Sequence, residues 1–172
     1  MKYGIIIYPS RHIQNEANNL RKRYDSEYAL IPPHITLKTR FNADDKTIEA
    51  LIHELKVIAN DTKPFDISIQ KVSSFQPVSN KIYFKVEPNE SLNKLNERLY
   101  KGTLSNDKDT AFVPHITVAQ NLSTDEFADI YATLSMKDFS FTDSVDRIQL
   151  CYELENGSWT TYETFVFGKE KI

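Results

Sequence analysis

The chain has 172 residues, 40% of them apolar, and a formal net charge of −3. That length and apolar share supply one generous core, while the near-balanced charge excludes a surface that wraps long duplex DNA or RNA by neutralising phosphates. A single cysteine, Cys151, excludes an intrachain disulfide and a cysteine metal site.

In chain order, Tyr3–Tyr8 reads as a first strand. It opens directly from Met1 without a signal-peptide layout, and with apolar runs too short to span a bilayer the expectation is a cytoplasmic protein off the membrane. Ser10 to Tyr24 follows as a helix with Ile13, Ala17, Leu20 and Tyr24 at helical spacing. A strand beginning Pro33-His34-Ile35-Thr36 comes next, then a helix capped by Asp44 or Asp45 that carries Ile48, Leu51, Ile52, Leu55, Ile58 and Ala59 before Pro64. Phe65, Ile67 and Ile69 alternate as a strand. A second round begins with the strand Ile82–Val86, a helix from Asn89 to about Tyr100, and a strand opening Pro114-His115-Ile116-Thr117. Ser123 and Glu126 form a capping box for a helix bearing Phe127, Ile130, Tyr131 and Leu134. Strands near Phe139–Phe141 and at Arg147–Glu153 lead to Asn156-Gly157, a two-residue hairpin signal into a last strand through Phe167.

The tetrapeptide Pro-His-Ile-Thr thus occurs twice and takes two of the four histidines in the chain. Because side chains alternate along a strand, His34 and Thr36 share one face and Ile35 and Leu37 the other, and His115, Thr117, Ile116 and Val118 repeat the arrangement. Each half reads strand, helix, His-x-Thr strand, helix, strand. The expected fold is therefore α+β and bilobal: approximate repeats over 1–78 and 79–172, intertwined in one domain, with two antiparallel sheets facing a central cleft and helices outside.

Two imidazoles facing one ligand supply both an acid and a base, since at one pH the first can be neutral and the second protonated. Threonine hydroxyls beside them can donate to the non-bridging oxygens of a phosphate and offset charge that builds in the transition state. That combination suits phosphodiester cleavage without a metal. No carboxylate or third histidine stands at ligand spacing in either motif, so neither a metal nor another cofactor is expected.

The paired motifs at 34–37 and 115–118 resemble those of the two-histidine (2H) phosphoesterase superfamily. Leu30-Ile31-Pro32-Pro33-His34, Phe112-Val113-Pro114-His115 and Leu154-Glu155-Asn156-Gly157-Ser158-Trp159 resemble more narrowly the YjcG-type phosphoesterases, over essentially the whole chain. The resemblance implies cleavage of a 2′,3′-cyclic, 1″,2″-cyclic or 2′-5′ phosphodiester in RNA ends or nucleotides. It makes His34 the proton donor and His115 the proton acceptor, with Thr36 and Thr117 as phosphate-binding residues. A noncatalytic module that binds RNA ends or a nucleotide in the same cleft is the alternative.

Lys38 and Arg40 share strand parity with His34 and Thr36, so they either line the cleft or form a solvated strand end. His12 and His53 fall off the apolar stripes of their helices and read as solvated. The basic run Arg21-Lys22-Arg23 suits the C-terminal end of its helix. Phe75, Tyr83, Tyr152 and Trp159 are the aromatics considered for stacking on a base.

Overall fold

The computed structural model describes residues 1–109 and 111–172. Its elements run β1 (Lys2–Ile7), α1 (Arg11–Tyr24), β2 (Ile35–Asn42), α2 (Asp45–Asn60), β3 (Phe65–Ser74), β4 (Ile82–Val86), α3 (Glu90–Leu99), β5 (His115–Ala119), α4 (Thr124–Ser135), β6 (Phe141–Val145), β7 (Arg147–Glu153) and β8 (Trp159–Val166). Local chemistry sets the helix starts. Asp44 rather than Asp45 caps α2, accepting the Thr47 N–H at 2.8 Å, and Asn89 caps α3 through the Leu92 N–H at 2.9 Å. The capping box at α4 is formed in both directions: Ser123 Oγ accepts from Glu126 N at 3.2 Å and Glu126 Oε1 accepts from Ser123 N at 2.9 Å.

Two antiparallel four-stranded sheets result, in the orders β2-β1-β7-β8 and β5-β4-β3-β6. The orders correspond. In each sheet the His-x-Thr strand is an edge, flanked by the strand that precedes it in its own half of the chain. The sheets nevertheless do not divide where the sequence repeats do, because β3 pairs with β4 and β6, while β7 and β8 return to pair with β1. Each sheet therefore takes strands from both halves.

The apolar faces pack as the alternation requires: Ile35, Leu37, Ile116 and Val118 are buried in one cluster with Ile5, Ile7, Phe84 and the stripe residues of α2 and α3. Helix α2 lies against β8 of the first sheet, and α4 against β3 of the second. The other two helices cross over, α1 lying beside β5 and α3 beside β2, so each His-x-Thr edge is covered by a helix from the opposite half. Polar ties fix those crossings. Asn96 of α3 donates to Leu37 O at 2.8 Å, and Tyr24 O at the end of α1 accepts from Gln120 N at 3.1 Å. Among the described residues no helix is long and apolar enough to cross a membrane.

Candidate active site

The covered edges β2 and β5 also meet each other, which brings the two motifs together. His34 immediately precedes β2 and His115 opens β5. In both motifs the ring Nδ1 lies against the carbonyl oxygen two residues back, Pro32 O at 2.8 Å and Val113 O at 2.5 Å. A carbonyl can only accept, so Nδ1 carries the proton in each ring and Nε2 is left to exchange one. The duplicated tetrapeptide thus produces a duplicated tautomer.

Both imidazoles are half-buried, and both are held below the ordinary histidine range. For His115 burial is the largest cause, opposed by the Val113 carbonyl and reinforced by the Lys81 and His34 charges, and the ring is lowered to about 4. Burial likewise leads for His34, opposed by the Pro32 carbonyl and reinforced by Arg21 and Lys81, with Asp25 acting the other way.

Thr36 and Thr117 are half-buried, opposite Ile6 and Tyr83 in their sheets. Among the described residues no protein group takes up either hydroxyl. Thr36 and His115, from the two different sheets, line one cavity of about 1070 Å³. Its walls include Phe75, Phe112 and Val113, and toward α3 the polar groups Asn93, Glu97 and Lys108. Phe75 meets the His115 ring edge-on at 5.0 Å between centroids, and Tyr83 lies 4.9 Å from the same ring. Two of the four aromatics named from sequence therefore frame His115. The other two stand elsewhere, Tyr152 against Tyr162 and Trp159 under Arg40.

Lys38 and Arg40 do not line this cavity. Register shifts in the β1–β2 pairing interrupt the simple alternation of β2, and the Lys38 side chain is only 2% exposed. Its ammonium lies 3.0 Å from Asp109 and 3.5 Å from Asp107. Asp109 also accepts from Thr39 N at 3.2 Å, Thr39 Oγ1 at 2.7 Å and the Tyr100 hydroxyl at 3.1 Å. Burial would raise this carboxyl, but the hydrogen bonds from Thr39 and Lys38 win and hold it below the usual carboxylate range. Arg40 is turned to Glu153 and lies over the Trp159 ring at 5.9 Å.

Arg21 stands in the last turn of α1 as expected, yet it is buried, unlike Lys22 and Arg23. It donates to Asp25 at 2.9 Å, Asn18 at 2.7 Å and Ile31 O at 2.6 Å, so it fixes the backbone that leads into Pro32. Asp25 in turn accepts from Gln120 Nε2 at 2.8 Å, across to the second sheet. His12 and His53 are exposed. Lys81, which bears on both imidazoles, was not singled out by sequence. Its signal was the polar parity of Lys81, Tyr83 and Lys85 against apolar Ile82, Phe84 and Val86. Among the described residues no three His, Cys, Asp or Glu side chains are grouped to hold a metal ion.

Residues 9–157 match the family model described as the 2′-5′ RNA ligase superfamily. OB1230 of Oceanobacillus iheyensis, named for phosphoesterase activity, is 55% identical over 170 residues, covering 99% of this chain and 100% of that protein. GWCH70_0799 of a Geobacillus strain, similarly named, is 54% identical, covering 98% of this chain and 97% of that protein. Among solved structures, LigT of E. coli complexed with 3′-AMP superposes with a TM-score of 0.73 at 15% identity, over 98% of each chain. TT0787 of Thermus thermophilus gives 0.73 at 15% identity, over 99% of this chain and 100% of that one.

Proposed function

The chain belongs to the 2′-5′ RNA ligase superfamily, the two-histidine phosphoesterases, and we propose that it is a metal-independent phosphodiesterase whose two His-x-Thr pairs cleave a cyclic or 2′-5′ phosphodiester. The observation that carries this reading is the matched pair of imidazoles, each with Nδ1–H held by a carbonyl and Nε2 free, on adjoining strand edges. RNA ends or nucleotides of the cytoplasm are the substrate class. LigT has been solved with 3′-AMP, NADP⁺ and ATP, which supports a nucleotide occupant for a cleft of this fold.

In the reaction His115, kept neutral, takes a proton from water through Nε2 as the water oxygen bonds to phosphorus. His34, protonated, gives its Nε2 proton to the leaving ribose oxygen as that P–O bond breaks. One proton is taken up and one released, so hydrolysis balances with the two rings exchanging protonation states. Thr36 and Thr117 donate to the non-bridging oxygens, where the pentavalent state gathers negative charge.

Incubating the protein with 2′,3′-cyclic nucleotides, a 1″,2″-cyclic phosphate and 2′-5′-linked dinucleotides in EDTA tests the proposal. Turnover of at least one is expected. Calorimetric binding of the same compounds without product would instead assign a binding module.

A further inference from the structure

Lys81 stands immediately before strand β4, beside the aromatic ring that packs on His115. Ile82, Phe84 and Val86 are buried in the core, so alternation turns Lys81, Tyr83 and Lys85 to the opposite face. Tyr83 pairs with Thr117 and Lys85 with His115, while a register shift between Ile82 and Tyr83 separates Lys81 from that pairing, so its place is given by its contact with Phe75. The Lys81 ammonium lies 5.9 Å from the centroid of Phe75, the ring whose contact with His115 is described above. Lys81 also lines a second, smaller cavity of about 330 Å³ together with Ser79, Asn80, Gln120 and Asn121. Lys81 is not among the residues lining the larger cavity, and it reaches that cavity's wall through Phe75. It forms no ion pair among the described residues, in contrast to Lys38 and Arg40.

We propose that Lys81 is the phosphate anchor of this cleft, holding the anionic oxygens of a bound phosphate or phosphodiester between His34 and His115. The inference rests on the reading of the cleft as a phosphodiesterase site and adds a residue outside both His-x-Thr motifs. A half-buried ammonium free of carboxylates is suited to a phosphate, as a point charge whose three donors adapt to the tetrahedral oxygens. The anchor also couples occupancy to protonation. With the cleft empty, the Lys81 charge opposes a second positive charge on either ring; a bound phosphate offsets it and lets the acid imidazole take up its proton. The other charges on His34 are Arg21 and Asp25, which neutralise each other as a pair, and His115 has Lys85 opposite it in register.

Inorganic phosphate is the probe, applied to the wild type, Lys81→Met, which keeps the apolar stem over Phe75, and Lys81→Arg. Calorimetry at mildly acidic pH is expected to show Lys81→Met binding phosphate about 10–100-fold more weakly, as for loss of one charge-assisted contact. Lys81→Arg should recover most of the affinity. NMR titration of the ring nitrogens should show both imidazoles titrating at higher pH in Lys81→Met than in the wild type, with Lys81→Arg unchanged. Unaltered phosphate affinity in Lys81→Met, no phosphate binding by the wild type, or unmoved imidazole midpoints would each overturn the anchor. A role confined to the contact with Phe75 would lower thermal stability and leave both readouts in place. If the wild type binds phosphate through Lys81 but turns over no diester, the anchor stands and the phosphodiesterase reading falls. If diesters are turned over equally well by Lys81→Met, the reverse holds.

Discussion

Replacing Asp109 by alanine strips a buried cation of its main partner. Lys38 is 2% exposed at its side chain and would retain only Asp107, at 3.5 Å and itself 62% exposed. The Thr39 hydroxyl and N–H and the Tyr100 hydroxyl would lose the same acceptor. Breaking a fully buried pair costs about 3–5 kcal/mol. Asp109 is 27% exposed, so water reaches part of the vacated site, and about 2–4 kcal/mol is the appropriate range. For a chain of this size each kcal/mol moves Tm by about 2–4 °C, giving a fall of about 4–16 °C in a calorimetric melt. The double variant Lys38→Met with Asp109→Asn should recover most of that loss, because it removes the stranded charge and keeps an acceptor for Thr39 and Tyr100. The pH dependence has a definite sign. A carboxyl held below its usual value binds protons less readily folded than unfolded, so its contribution is complete above the ordinary carboxylate range, begins to fade below it and is lost as pH falls through the lowered value of the folded state. Asp109→Ala should therefore converge on the wild type in acid. A melt indistinguishable from that of the exposed control Asp107→Ala would refute this account of the Lys38 site.

Either His34→Ala or His115→Ala should lower kcat/KM by about 10²–10⁴-fold while changing stability by no more than about 1 kcal/mol, since each half-buried ring makes one carbonyl hydrogen bond; stopped assays and thermal melts check both numbers. Thr36→Ala and Thr117→Ala should be milder, on the order of 10–10³-fold in kcat, because the acid and base remain; equal losses from threonine and histidine variants would contradict the assigned roles. The profile of kcat/KM against pH should be a bell displaced to the acid side of the ordinary histidine value. As pH falls through about 4 the base His115 is protonated and activity is lost, and as pH rises past the lowered midpoint of His34 the acid is lost. Steady-state rates across that range decide it, and a bell centred above neutrality would count against the histidine pair.

The motifs were legible because they combine a repeated tetrapeptide with strict alternation, and short-range chemistry of that kind survives folding unchanged. The same holds for the capping box of Ser123 and Glu126, and for the cap offered by Asp44 or Asp45, which Asp44 supplies. Bulges were not legible. Gln70 and Lys71 interrupt the apolar pattern that ends the expected strand at Ile69, but a register shift between Ile69 and Val72 absorbs them and carries β3 on to Ser74. The shifts between β1 and β2 likewise undo the parity that grouped Lys38 with His34. Near Phe139 the expected strand begins later, at Phe141, although both rings pack on Phe84. Lys81 and Arg21 needed three dimensions, because their importance lies in what stands across from them rather than in their neighbours along the chain.

The return of β7 and β8 to the first sheet sets an order of events during synthesis. Until Arg147–Val166 has left the ribosome, that sheet consists of β1 and β2 alone, a two-stranded ribbon too small to be stable in water. The second sheet, built from β3 to β6, has all its strands by Val145. The half of the cleft that carries His115 can thus form on the nascent chain, and the half that carries His34 must wait for the final hairpin. A ribosome stalled short of that hairpin would hold a chain with one imidazole mounted and no partner across from it.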